Sequence, residues 1–485
     1  SEGIQYSSAD SVDIRVPGIA THGAAPHLGR DPRCRSTERR VVPRRSTKPQ
    51  HARTIALVPL HEGVDCQALG ANLKRAFGEM GFKAGILAQG DARNEGDWYA
   101  RFECDHDIVL YLGDATETRW TQLSLRQADR VFLVARAGEA LPAHGQTRES
   151  NKRLKRQLPE LLLLKGANAP GISAIPGALS GPYGLHHYVR ENDAGDVARF
   201  ARMLAGRAVG LVLAGGGARG FAHIGVIKAL RAAGVPFDII GGASMGAIVA
   251  AGVAMGWDHQ ELSRRMRRAF VQSSPLSDFT LPLVAVLRGK KVSKQLQENF
   301  GDTRIEDLHR TYFCVSSNLT LGRENIHNEG VLWQALRATV AIPGLLPPVI
   351  QEKHMLVDGG LMNNFPVDVM ATYGQGPVIG VDVAGNENLV VEAENFSEHP
   401  WLTLFRQQRR GAPSIVSILM RSGTVGNETQ RRQAREQADI LFDPPMPGIG
   451  LRSWNSFDQA VEAGYAHASQ LIEANGLAVL NSSPR

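Results

Sequence analysis

The sequence predicts an α/β protein of two successive units, each with a mainly parallel sheet. Three observations carry this. At 485 residues the chain exceeds what one ordinary core organises, so two or more domains are expected. Short, unbroken apolar runs recur, as strands buried on both faces require: TIALVPL (54–60), FKAGILA (82–88), HDIVLYLG (106–113) and DRVFLVA (129–135). Helical stretches such as DCQALGANLKRAFGEMG and TETRWTQLSLRQA separate those runs, giving the βαβ rhythm of parallel pairing.

Taken in order, residues 1–52 carry Gly, Pro, Ser and Arg without periodicity and read as a basic, disordered tail. Between Arg30 and Arg53 stand nine Lys/Arg against two acids, so the +6 net charge of the chain resides here. Such a tail can touch anionic lipid, although a solvated leader is the plainer reading; no nucleic-acid partner is expected. No apolar run reaches the roughly 18 residues of a membrane-spanning helix, and Ser1–Gly29 has no apolar core behind a basic cap. The expectation is a cytoplasmic protein, peripheral at most on the inner membrane face. Cys34, Cys66, Cys104 and Cys314 are widely spaced and read as free thiols, with no metal site.

Residues 53–165 form the first α/β subdomain, which shows neither a phosphate-binding Gly loop nor a catalytic cluster and reads as structural or regulatory. A connector is expected over 166–205, closing with the helix AGDVARFARMLAG. The second unit, 206–480, alternates strands (209–214, 237–241, 311–319, 377–382) with helices (220–233, 245–256, 330–341).

That unit opens with VGLVLAGGGARGFAHIGVIKAL (209–230), a strand, a glycine loop and a helix. Such a loop turns N–H groups toward an anion. Gly215, Gly217 and Gly220 satisfy G-x-G-x-x-G, but a dinucleotide site also needs an acid at the end of the second strand. Here Asp238 stands at the start of that strand, and its end is Gly242-Ala243-Ser244-Met245-Gly246, a G-x-S-x-G. A Ser on a strand-to-helix turn thrusts its Oγ out of the backbone, flanking glycines clear the bend, and the helix dipole favours negative charge there. If strands 209–214 and 237–241 lie side by side, the loop can serve as an oxyanion hole for acyl transfer at Ser244.

The base is sought in HMLVDGGLMNNFPVDVM (354–370). Asp-Gly there is also an ordinary hairpin turn. With Gly359 and Gly360, Asp358 nevertheless presents a carboxylate on an unencumbered turn, and a shielded carboxylate can take a Ser proton directly. In an α/β-hydrolase order the base is a His after the acid, which leaves His399 and His467; both stand in polar or helical contexts. His223 is expected to pack at the start of its helix.

With GGGARG, GASMG and VDGG in this order, the sequence resembles the patatin-like phospholipases over about 206–476, ALRATVAIPGLLPPV (335–349) included. The stretch 54–135 is similar to what precedes that domain in bacterial proteins of the neuropathy-target-esterase type. The resemblance implies a three-layer α/β/α domain with a mainly parallel sheet, preceded by a smaller Rossmann-like or flavodoxin-like α/β subdomain. It implies Ser244 as nucleophile, Asp358 as base of a Ser–Asp dyad, and Gly215, Gly216, Gly217, Ala218, Arg219 and Gly220 as the oxyanion loop. Gly242 and Gly246 flank the nucleophile. The implied activity is hydrolysis of phospholipid or lysophospholipid esters without metal or organic cofactor. A non-catalytic lipid-binding or regulatory protein on the same fold is the alternative, and a dinucleotide-binding protein a remoter one.

One more stretch bears on a lipid substrate. DFTLPLVAVLRGKKVSKQL (278–296) sets Leu281, Leu283, Val284, Val286 and Leu287 beside Arg288, Lys290, Lys291 and Lys294. It reads either as a core helix with a solvated basic end or as an apolar lip with cations for anionic headgroups.

Overall fold

A computed structural model describes residues 52–92, 96–141, 158–166, 185–273, 276–281, 284–373, 376–385 and 428–477. The expected tail, apart from Ala52, and His399 lie outside them.

The first sheet comprises β1 (Thr54–Pro59), β2 (Ala84–Leu87), β3 (Ile108–Leu112), β4 (Arg130–Arg136), β5 (Glu160–Lys165) and β6 (His186–Arg190). Their order is β2-β3-β1-β4-β5-β6, and every pairing is parallel. All residues of β1 and β3 are buried, which is why they read as unbroken apolar runs. One face is covered by α1 (Cys66–Glu79) through Leu69, Leu73 and Phe77. On the other, α2 (Gly96–Cys104) and α3 (Arg119–Gln127) contribute Tyr99, Trp120 and Leu125.

The expected connector, 166–205, is structured where it is described. His186–Arg190 is the β6 edge strand, and α4 (Ala194–Leu204) buries Phe200 and Leu204 against the same core as α1. LHHYVR is too short and polar to be told from a loop by its own pattern; hydrogen bonds to β5 make it a strand.

The second sheet holds β7 (Gly210–Leu213), β8 (Ile239–Ala243), β9 (Thr311–Asn318), β10 (Arg323–His327), β11 (Val349–Gln351), β12 (His354–Val357), β13 (Val378–Val381) and β14 (Ile440–Phe442). The order is β11-β12-β9-β8-β7-β13-β14, with β10 also paired to β9. From β9 to β14 the path is parallel, whereas the pairings β10–β9, β12–β9 and β11–β12 are antiparallel. Helices α5 (Ala222–Ala232), α6 (Ser244–Ala254), α7 (His259–Met266), α8 (Lys290–Phe300) and α9 (Leu332–Thr339) follow in sequence. They are followed by α10 (Val367–Thr372), α11 (Glu428–Gln437) and α12 (Phe457–Asn475). Helices α5, α6 and α12 share one core, while Val367 and Met370 of α10 and Ala434 of α11 join another with Phe313 of β9. This is an α/β/α arrangement. The central helix α6 buries ten of its residues, leaving only Ser244 partly exposed.

Asp238 explains why no ribose-binding acid was found. It sits at the start of β8, opposite the glycine loop, and is 1% exposed. It accepts both arms of the Arg202 guanidinium (2.8 and 2.7 Å) and the Val209 N–H (2.8 Å), tying α4 to the second sheet. Cys66 and Cys314 are buried free thiols, but Cys104 is in a disulfide, which corrects the expectation of free thiols throughout. Among the described residues no helix is long and apolar enough to cross a membrane.

Candidate active site

Strand β8 ends at Ala243 and α6 begins at Ser244, so the chain turns within one residue and Ser244 takes φ = 50°. A left-handed conformation costs a side-chain-bearing residue on the order of 1–3 kcal/mol and persists only where its surroundings enforce it. The enforcement here comes from β7. A Cβ at position 242 would lie 2.4 Å from the Leu213 carbonyl oxygen, and one at 246 would lie 2.2 Å from it. Only glycines let the end of β7 pass so close, and that parallel neighbour (Leu213 opposite Gly242) fixes the glycine loop beside the Ser. The Ser244 N–H donates to Thr339 Oγ1 of α9 (3.0 Å).

Ser244 Oγ donates to Asp358 Oδ2 at 2.8 Å, across 114 residues of chain. Asp358 follows β12, is 1% exposed, and is held by its backbone: its N–H donates to Ala341 O (2.9 Å) and its C=O accepts from Ser317 Oγ (2.8 Å). Gly360 N–H donates to the second carboxylate oxygen (2.8 Å). Burial raises the Asp358 pKa to about 6; the Gly360 N–H and the Ser244 hydroxyl act the other way without cancelling it. Such a carboxyl is ionised at neutral pH yet basic enough to take a proton. The pH profile follows: kcat/KM for a soluble ester should rise with pH through about 6, falling roughly tenfold per unit below it. A profile flat from pH 4.5 to 8 would exclude Asp358 as base.

No histidine among the described residues bonds Ser244 or Asp358. His467, on α12, accepts the Asp443 N–H (3.3 Å). His223 is fully buried in the first turn of α5, its Nε2 donating to Ala214 O (2.8 Å), and burial lowers its pKa to about 4.

The structure narrows the donors available in the expected oxyanion loop. Gly215 N–H is taken by Asn364 O (3.1 Å), Ala218 N–H by Leu451 O (2.9 Å) and Arg219 N–H by Gly216 O (3.1 Å). The N–H groups of Gly216 and Gly217 are committed to no other group among the described residues, and Gly217 lines the same cavity as Ser244. Arg219 is a strut: its buried guanidinium donates to Ile449 O (2.6 Å) and Ala384 O (2.8 Å). Gly220 is a packing position, where a Cβ would meet Met245. Sequence reasoning missed Asn364, whose backbone C=O and side-chain Nδ2 (3.1 Å to Gly215 O) clamp the Asp358 turn to the loop. It also missed the role of Thr339, although the residue lies within the quoted ALRATVAIPG.

The cavity that opens at Ser244 and Gly217 is apolar. Met245 and Ile248 line it from α6, Phe270 and Trp454 as a stacked pair, Leu296 from α8, and Leu345 and Leu346 from the loop after α9. It suits an alkyl chain whose carbonyl lies at the Ser.

Comparison with known proteins matches residues 211–371 to the patatin-like phospholipase model and 51–170 to the P-loop-like domain of the neuropathy target esterase family. Residues 211–371 are a patatin-like phospholipase domain. The Drosophila melanogaster neuropathy target esterase sws is 30% identical over 78% of this chain, and human patatin-like phospholipase domain-containing protein 6 is 31% identical over 77%. Aspergillus fumigatus lysophospholipase nte1 is 27% identical over 88%. The chain spans about 30% of the length of these relatives.

The patatin-like domain holds the site; in the P-loop-like stretch the described turn after β1 departs from a phosphate-binding loop. The turn after β1 is Leu60-His61-Glu62-Gly63-Val64-Asp65, without the Gly-Lys-Ser/Thr of such loops. Asp65 accepts the Ala68 N–H (2.8 Å), so a carboxylate already occupies the α1 N-terminus where a phosphate would sit.

Proposed function

We propose that this protein is a serine lipid acyl hydrolase that cleaves the carboxylic ester of a phospholipid or lysophospholipid through an acyl-Ser244 intermediate. The single observation behind the reading is the 2.8 Å bond from Ser244 Oγ to a buried carboxylate, at the mouth of an apolar cavity. Asp358 takes the Oγ proton as Ser244 attacks the ester carbonyl carbon. The tetrahedral oxyanion is received by the N–H groups of Gly216 and Gly217, which cost no reorganisation at the moment of reaction. Collapse breaks the ester bond, and the protonated Asp358 gives its proton to the leaving alcohol. Asp358 then deprotonates water for attack on the acyl-enzyme, and the same donors stabilise the second intermediate. The names of the relatives, phospholipase and lysophospholipase among them, agree with this substrate class. Work at a membrane surface from the cytoplasmic side belongs to the same proposal.

The competing reading is a lipid-binding protein that kept the fold without the chemistry; the strained Ser244 elbow weighs against it, since binding needs no such strain. A fluorophosphonate probe decides. Wild-type protein should be labelled covalently and Ser244→Ala should not; an unlabelled wild type would favour the binding protein.

A further inference from the structure

Before α8 the chain forms an open hairpin whose inner arm is fixed and whose outer side chains face water. Phe279 bridges Leu287 antiparallel, Thr280 N–H donates to Val286 O (2.9 Å) and Arg288 N–H to Asp278 O (2.9 Å). The inner arm is bonded to the cavity wall: Val286 N–H donates to Gly344 O (2.9 Å) and Leu287 N–H to Leu345 O (3.0 Å). Ala285 and Leu287 are accordingly buried. By contrast Phe279, Leu281 and Val284 are 67%, 80% and 68% exposed, and none joins an apolar cluster among the described residues. Three large apolar side chains this exposed on one short hairpin mark an interaction surface.

The charge around the hairpin indicates what it meets. Arg288, Lys290, Lys291 and Lys294 are all exposed. Lys291 Nζ donates to Ser277 Oγ (2.7 Å) and Lys294 lies 3.7 Å from Glu298, while Arg288 and Lys290 have no side-chain partner among the described residues. Exposed apolar side chains on a hairpin, followed along the chain by exposed cations, match a layered partner, hydrocarbon beneath anionic headgroups. The hairpin also adjoins the cavity, since Leu276 before it, Val292 after it and Leu345 beside it all line that space.

We infer that Phe279, Leu281 and Val284, with Arg288, Lys290, Lys291 and Lys294, are the surface by which the protein docks on an anionic lipid bilayer, holding the cavity against the membrane. The sequence expectation of a core helix with a basic end is met only by α8, which buries Leu296 and Phe300; the lip is the hairpin that precedes it. The purpose of the docking rests on the lipid-hydrolase reading, but its detection does not.

The test is sedimentation of the Ser244→Ala protein, which removes turnover, with vesicles of equimolar phosphatidylcholine and phosphatidylglycerol or of phosphatidylcholine alone. Binding should be stronger on the anionic vesicles and weaken with salt. Leu281→Asp with Val284→Asp should reduce partitioning roughly 100-fold, since each lost apolar insertion is worth about a factor of ten. Lys290→Glu with Lys291→Glu and Lys294→Glu should abolish the preference for anionic vesicles. With Ser244 present, the same substitutions should slow hydrolysis of vesicle lipid and leave a short p-nitrophenyl ester turned over within about twofold. Unchanged sedimentation of both variants would overturn the inference. So would unchanged sedimentation accompanied by conversion of a dimer to a monomer, which would make the hairpin a contact between copies of this chain. Loss of sedimentation in these variants, together with a wild type that no fluorophosphonate labels, would leave the docking surface standing and the hydrolase reading not.

Discussion

Replacing Asp358 by Asn should slow ester hydrolysis by at least ~10⁴-fold and make the folded protein more stable at pH 8. The kinetic loss follows from the geometry: Ser244 Oγ has one carboxylate at 2.8 Å and no histidine partner among the described residues, so no second base takes over. The gain in stability follows from linkage. The buried carboxyl titrates near 6 instead of its ordinary 3.8, so between these values the folded state binds more protons than the unfolded. Wild-type stability therefore falls as pH rises from about 4 through about 6, by on the order of 3 kcal/mol in all. The amide that replaces the carboxyl does not ionise, and its oxygen can still accept the Gly360 N–H. Urea unfolding at pH 8 should place the Asp358→Asn variant above the wild type, and the gap should close towards pH 4. Near-normal turnover would remove the dyad; a gap that widens on acidification would contradict the raised pKa.

Gly217→Ala should lower kcat by roughly 10²–10³-fold with little change in KM. Gly217 has φ = 54°, and a Cβ there would stand 2.3 Å from the Leu451 carbonyl oxygen, a backbone atom that can yield only by moving the loop. Its N–H then leaves the place where the oxyanion forms. The comparison variant is Gly216→Ala, whose nearest obstacle is Val383 Cγ2 at 2.7 Å, the end of a side chain. Its loss in kcat should be smaller. Turnover of p-nitrophenyl esters, with circular dichroism to confirm folding, measures both. If KM alone rises, the loop binds the ground state and the oxyanion assignment fails.

Much of this site was legible because its demands are local. A Ser wedged between strand and helix needs glycines at fixed offsets, and GASMG prints that need in five residues. An acid beside Gly-Gly on a tight turn prints another. Long-range partners leave weaker marks. Asn364 is one of two adjacent asparagines, and nothing in LMNNFP says which of them reaches Gly215. The loop shows the same limit: GGGARG offered six donors alike, and the carbonyls of Asn364, Leu451 and Gly216 decided which remain available.

The sequence by itself determined the parallel α/β architecture, because strands covered on both faces by helices must be apolar throughout, and it singled out the Ser and the Asp whose side chains the fold brings within hydrogen-bond distance. Only the tertiary structure decided that 185–190 is an edge strand, that Asp238 is a strut at the far end of the sheet, and that Asp358 titrates near 6. A strand is made by its neighbour's hydrogen bonds, a carboxylate's role by the cation it meets, and a pKa by the water that packing removes. Each depends on residues tens to hundreds of positions away, which no local pattern records.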